Sequence, residues 1–151
     1  GIVVKGLHDL AVRFSRCCNP VPGDEIVGFV TRGRGVSIHR TDCINVINLP
    51  EDERGRLIDA EWQVAENPTS TEQYSTEIQI FANNRIGLFA DISKVFTEKQ
   101  IDITSMNVRT SKQGRATIIM TFDIHGTEEL NRITDKIRQI DGVLDIQRTT
   151  G

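Results

Sequence analysis

The chain has 151 residues, 38% of them hydrophobic and 26% charged, a globular composition with room for one domain or two small ones. A formal charge of -3 makes it no polycation, so charge alone predicts no strong non-specific binding to nucleic acid. No apolar run approaches the roughly 18 residues of a membrane-spanning helix, and the start lacks the basic-then-apolar pattern of an export signal, so no membrane contact is expected. An odd number of cysteines then reads as free thiols or metal ligands in a reducing compartment, with the cytoplasm the default.

The surplus acids are Glu61, Glu66 and Glu72; on either side of them acids and bases balance. Leu10, Val12 and Phe14 fit one face of a short strand with Arg13 on the other. Asn19-Pro20-Val21-Pro22-Gly23-Asp24 is a turn stiffened by its prolines. Residues 26–31 form a strand, Gly33-Arg34-Gly35 a tight connection, and residues 36–39 the returning strand of an antiparallel hairpin. Arg40-Thr41-Asp42 starts a helical turn that places Cys43, Val46 and Ile47 on one face. Pro50 and the charged run 51–56 end it, and residues 57–62 are a further strand carrying the single tryptophan, Trp62. A unit of residues 1–64 is small enough to need a staple. Residues 65–73, polar and interrupted by Pro68, read as a linker.

The pattern changes at Tyr74. Tyr74, Thr76, Ile78, Ile80 and Ala82 alternate with Ser75, Glu77, Gln79 and Phe81 as a strand. Leu88, Ile92, Val95, Phe96 and Lys99 have helical spacing. Residues 101–109 are a strand whose apolar phase slips between Ile103 and Met106, as at a bulge. A hairpin turn at 111–114 leads to the clearest strand, with Ala116, Ile118, Met120, Phe122 and Ile124 on one side. Thr127 is expected to cap a second helix, with Leu130, Ile133, Ile137 and Ile140 as its buried stripe. Gly142 stops it and residues 143–148 close the unit as a last strand. The order βαββαβ over 74–150 predicts a ferredoxin-like antiparallel sheet with both helices on one face. The open face would carry Glu77, Gln79, Thr117, Thr121 and Asp123 with Phe81 and Ile119, a mixture suited to pairing with another domain. The fold class is therefore α+β, a small hairpin-based domain followed by a ferredoxin-like one.

Cys17, Cys18, His39 and Cys43 are the residues with soft-metal chemistry, and Cys3His is a closed set for structural zinc. Neighbouring side chains on a strand point apart, so Cys17 and Cys18 reach one ion only if the chain turns there, which the Asn19-Pro20 corner favours. The competing readings are small buried thiols and a Cys nucleophile with His39 as base, the latter lacking an evident group to orient the imidazole. Arg32, Arg34 and Arg40 beside the hairpin form either a local basic face or a solvated tip. Around Asn83-Asn84-Arg85-Ile86-Gly87-Leu88, a glycine at a helix start exposes amides to a carboxylate such as that of an amino acid, or simply relieves packing. No acid–base carboxylate pair, phosphate-binding glycine loop or metallohydrolase motif is present.

The stretch RCCNPVPGDEIVGFVTRGRGVSIHRTDC, residues 16–43, resembles the C-terminal region of the long Rel/SpoT-type (p)ppGpp synthetase/hydrolases of the bacterial stringent response. Residues 74–149, with NNRIGLFADISKVF, are similar to the ACT domain that ends those proteins. The resemblance implies a zinc-finger-like (RIS) domain at 1–64, whose metal pattern falls on Cys17, Cys18, His39 and Cys43, and an ACT domain at 74–150. It implies a regulatory role without catalysis: ribosomal RNA and uncharged tRNA sensed by the parent protein, contacts with its N-terminal catalytic domains, and synthesis set against hydrolysis. The resemblance assigns the RNA contacts to Arg32, Arg34 and Arg40. ACT domains bind amino acids at the loop that is 83–88 here, branched-chain ones in part of the family, often across a homodimer interface. Many read Asp-Arg-x-Gly where this chain has Asn84-Arg85-Ile86-Gly87. The amide caps a helix but does not balance an ammonium.

Overall fold

The computed structural model describes residues 2–4, 11–33, 35–63 and 72–150. They divide into two compact units between Glu72 and Gln73. Most of the expected linker, and Leu10 and Arg34, lie outside the described residues.

In the first unit the expected hairpin is present. β3 (Ile26–Val30) pairs antiparallel with β4 (Val36–Arg40), placing Val27 opposite His39 and Phe29 opposite Ser37. β5 (Leu57–Trp62) adds antiparallel to β3, and β1 (Ile2–Val4) to β5. The strand expected around Val12 is β2 (Val12–Phe14), which runs parallel to β4 and completes the order β1-β5-β3-β4-β2. The approach to β2 explains Gly35: a Cβ there would lie 2.1 Å from the Ala11 carbonyl oxygen, which accepts from the Val36 amide at 2.9 Å.

The period of two separates the sheet's faces. Val36, Ile38 and Ala60 are buried on one, packed by Ile2, Ile26, Val30 and Ile58. On the other, Val27 and Leu57 meet Cys18, Cys43 and Val46. Trp62 stacks on Phe14 with centroids 5.6 Å apart and donates through Nε1 to the Asp24 carbonyl at 3.0 Å. Between β4 and β5 lie α1 (Ile44–Ile47) and a 3-10 helix over Glu51–Arg56. Ile47 does not share the buried face expected of it: it is 61% exposed. A single turn starting at Cys43 turns Val46 inward and leaves the next residue outside.

The second unit has the predicted topology. β6 (Tyr74–Asn83), β7 (Ile103–Thr110), β8 (Arg115–Ile124) and β9 (Val143–Arg148) form an antiparallel sheet ordered β7-β8-β6-β9. α2 (Leu88–Glu98) and α3 (Thr127–Arg138) supply Leu88, Ile92, Phe96, Leu130, Ile133 and Ile137 to one core with Ile78, Ile80, Ile118, Met120 and Phe122. Phe96 meets Phe122 edge-on at 4.9 Å. The phase slip in β7 is a register shift between Ile103 and Ser105. Thr127 is not the cap of α3 but its first residue. Gly126 holds the cap position, and Glu129 Oε1 reaches back to accept from the His125 amide at 3.3 Å. Among the described residues no helix is long and apolar enough to cross a membrane.

Candidate metal centre

Three elements bring the four candidate ligands together. Residues 16–18 form a turn, closed by the Asn19 amide donating to the Ser15 carbonyl at 3.0 Å, with Asn19 at φ +49°. This turn is what lets adjacent cysteines face one point. His39 comes from β4, on the face opposite the Val36–Ile38 core, and Cys43 from the start of α1.

The ligand atoms all lie within 4.8 Å of one another. Cys17 Sγ is 3.4 Å from Cys43 Sγ and 4.0 Å from Cys18 Sγ; His39 Nδ1 is 3.4 Å from Cys17 Sγ and 3.9 Å from Cys18 Sγ. A tetrahedron with zinc–sulfur bonds of about 2.3 Å and a zinc–nitrogen bond of about 2.0 Å has edges of about 3.8 and 3.5 Å. The cluster has the size and donor set of such a site.

The surroundings hold the ligands as metal ligands are usually held. His39 Nε2 is 3.0 Å from Ser37 Oγ, and a metal held at Nδ1 would leave the ring proton on Nε2, where the serine oxygen can accept it. The Arg40 amide donates to Cys18 Sγ at 3.3 Å, and Ser15 Oγ lies 2.8 Å from Cys17 Sγ. Burial pushes the Cys18 thiol well above its usual range, helped by the neighbouring thiols. Burial also raises Cys43. Cys17 is pushed up by burial too, but hydrogen bonds with Ser15, Asn45 and the other two cysteines outweigh this and leave it below the ordinary value. Burial, then the charge of Arg13, lowers His39 and favours a neutral, metal-ready imidazole. A thiol–imidazole dyad reserves the histidine for one sulfur. Here Cys17 and Cys18 both face Nδ1 and Cys43 closes on Cys17, an arrangement for an ion.

Ser15 and Ser37, which orient the ligands, were not singled out from sequence. For Ser37 the available signal is its place two residues before His39 on a strand, hence on the same face.

The three arginines part company. Arg32 is exposed beside the hairpin tip. Arg40 is 6% exposed, because its guanidinium donates to the Cys18 carbonyl at 3.3 Å and to Asp42 at 2.5 Å. It braces the cysteine turn rather than presenting a charge to a partner, which corrects its place in a basic face. Arg34 lies outside the described residues.

In the second unit, Asn83 ends β6 and Leu88 is buried at the start of α2, while Ile86 is fully exposed. Gly87 has φ +84°, which suits glycine. Arg85 is engaged inside the protein, donating to the Asp141 and Ile86 carbonyls and pairing with Asp91 at 2.8 Å.

Two family models match in tandem: the RelA/SpoT RIS domain over residues 2–63 and an ACT domain over residues 70–148. The GTP pyrophosphokinase of Streptomyces coelicolor is 40% identical over 150 residues, 99% of this chain and 17% of that protein. The bifunctional (p)ppGpp synthase/hydrolase RelA of Mycobacterium tuberculosis is 36% identical over 150 residues, again 99% of this chain and 20% of that protein. The chain thus spans about a fifth of the length of the curated relatives it matches. Among solved structures, the ACT domain from GTP pyrophosphokinase of Chlorobium tepidum is 22% identical, covering 51% of this chain and 99% of that one with a TM-score of 0.46. Cysteine turn, histidine strand and βαββαβ unit follow one another in the order of these two domains: the chain belongs to the RelA/SpoT family, as its RIS domain followed by its ACT domain.

Proposed function

We propose that the chain is a regulatory module of a (p)ppGpp synthetase/hydrolase and makes or degrades no nucleotide itself. The observation that carries this is the tandem match of a RIS and an ACT domain across almost the whole chain, with both matched relatives bearing enzyme names and the rest of their length lying outside the match. The ion in the Cys17, Cys18, His39 and Cys43 cluster is zinc, bound as a structural staple: four protein ligands close the coordination shell and leave no position for substrate. The first unit is then a rigid platform that presents Arg32, with Arg34 two residues further along the sequence, to RNA of the ribosome or to uncharged tRNA. The second unit relays contact to catalytic domains of the parent protein by shifting its balance between synthesis and hydrolysis.

The test has two arms. The purified chain, incubated with GTP and ATP and separately with (p)ppGpp, is expected to leave both unchanged. In place of the corresponding residues of the Streptomyces coelicolor enzyme, it is expected to retain ribosome-dependent control of (p)ppGpp synthesis. Turnover by the isolated chain, or a chimera as unregulated as a deletion, overturns the reading.

A further inference from the structure

Beside the metal centre, on the same face of the first sheet, lies an open cleft of about 570 Å³, in the size range of small-molecule sites. Its floor is a row that crosses three strands: Arg13 on β2 is opposite Ser37 on β4, and Ser37 is opposite Phe29 on β3. Arg16 and Asn45 complete its rim, and His39 forms part of its wall. At the far end of the row the Arg56 guanidinium lies over the Phe29 ring, 5.0 Å from its centroid.

Three features point to an anionic, partly planar ligand. Among the described residues, Arg13 and Arg16 are exposed and make no ion pair, and none of the carboxylates lines the cleft. That is notable in a chain with more acids than bases. Ser37 is 5% exposed with its Oγ 3.0 Å from His39 Nε2, and a hydroxyl can accept one hydrogen bond while donating another. Phe29 lines the cleft and adds an aromatic ring of the kind against which nucleobases lie. Arginines that merely guard an edge strand account for Arg13. They give no reason for a buried hydroxyl and an aromatic ring in the same row.

We propose that this cleft holds one nucleotide, its phosphate between Arg13, Arg16 and the Ser37 hydroxyl and its base against the Phe29 ring. The nucleotide is either free or one residue of a single-stranded RNA; the chemistry of recognition is shared. Because Ser37 also holds His39, an occupied cleft is felt at the metal centre. The inference deepens the regulatory reading and rests on it for its biological meaning, while the binding is scored without ribosome or catalytic domains.

The experiment uses the zinc-loaded chain and fluorescence anisotropy with a 5′-labelled hexaadenylate at low salt, with AMP, adenosine and inorganic phosphate as competitors. Expected are AMP competing at least tenfold better than adenosine or phosphate, and a fivefold or greater loss for Arg13→Ala and for Arg16→Ala. Each substitution should also reduce the salt slope by about one. AMP equal to the hexamer marks a free nucleotide; a hexamer more than tenfold tighter marks RNA. Both substituted residues are exposed, so circular dichroism is expected to show an unchanged fold, and a measurement on the unaltered chain stands beside them: the His39 Nε2–H resonance should shift on adding AMP. No binding, phosphate as good as AMP, an unmoved resonance, or wild-type affinity in both variants overturns the proposal. That failure with the chimera still regulated leaves the regulatory reading intact; nucleotide bound with the chimera unregulated does the reverse.

Discussion

Stripping the metal from the cluster of Cys17, Cys18, His39 and Cys43 is expected to unfold the first unit and spare the second. Among the described residues, the buried branched side chains of the first unit are Val21, Val36, Ile38 and Val46, the last packed with Cys18 and Cys43. At about 1.5–3 kcal/mol each they contribute roughly 6–12 kcal/mol. A structural zinc contributes an apparent 10–16 kcal/mol or so, as much as that entire apolar group. In the second unit, Ile78, Ile80, Leu88, Ile92, Phe96, Ile118, Met120, Phe122, Ile124, Ile133 and Ile137 are all less than 2% exposed. Trp62, the chain's single tryptophan, separates the two responses, because it reports on the first unit through its stack on Phe14 and its bond to Asp24. Chelation should shift its emission to the red and abolish its cooperative melt, while the calorimetric transition of the second unit stays within a few degrees. If protein shown to be metal-free by native mass spectrometry keeps the native Trp62 emission and melt, the staple argument is wrong.

Two more predictions follow from particular atoms. With Cys18 and Cys43 raised by burial, both are protonated thiols at neutral pH in the metal-free protein, whereas His39, lowered, is already neutral. Zinc capture then expels at least two protons, so apparent affinity should rise about 100-fold per pH unit as pH increases; competition with a chromophoric chelator at pH 6.5 and 7.5 measures this, and a change below about tenfold contradicts it. In the second unit the Thr76 hydroxyl is buried with no hydrogen-bond partner. Thr76→Val should stabilise that unit by about 1 kcal/mol, a rise in Tm of roughly 4–8 °C, and a lower Tm would mean that the hydroxyl is satisfied.

The second unit was legible because its signals are local. Alternation in β6 and β8, stripes in α2 and α3 and the slip in β7 can each be read within a dozen residues, and the topology follows from their order. The first unit hides its architecture in long-range pairing. β1 is three residues, too short for periodicity to register, and while alternation marked β2 as a strand, its parallel pairing with β4 depends on the backbone approach at Gly35. Arg40 misleads for a similar reason. Its charge reads as surface, and only the Cys18 carbonyl and Asp42 reveal why it is buried. The metal ligands were legible by residue type and spacing, but their second-layer partners Ser15 and Ser37 were not, since serine carries no distinguishing chemistry until a neighbour is placed beside it.

The geometry of β4 also argues for what the metal is for. One alternation along five residues sends Val36 and Ile38 into the core and turns Ser37 and His39 to the opposite face. A side chain on that face therefore cannot move without disturbing either the metal or the core strand beneath it. Fixing His39 fixes Ser37, and across the same row Arg13 and Phe29. The hairpin that carries Arg32 is the continuation of β3 and β4 beyond this row. A closed ion at one end of such a hairpin contributes no reacting group. With zinc bound as proposed, the cleft and the tip would both take their positions from the one strand β4.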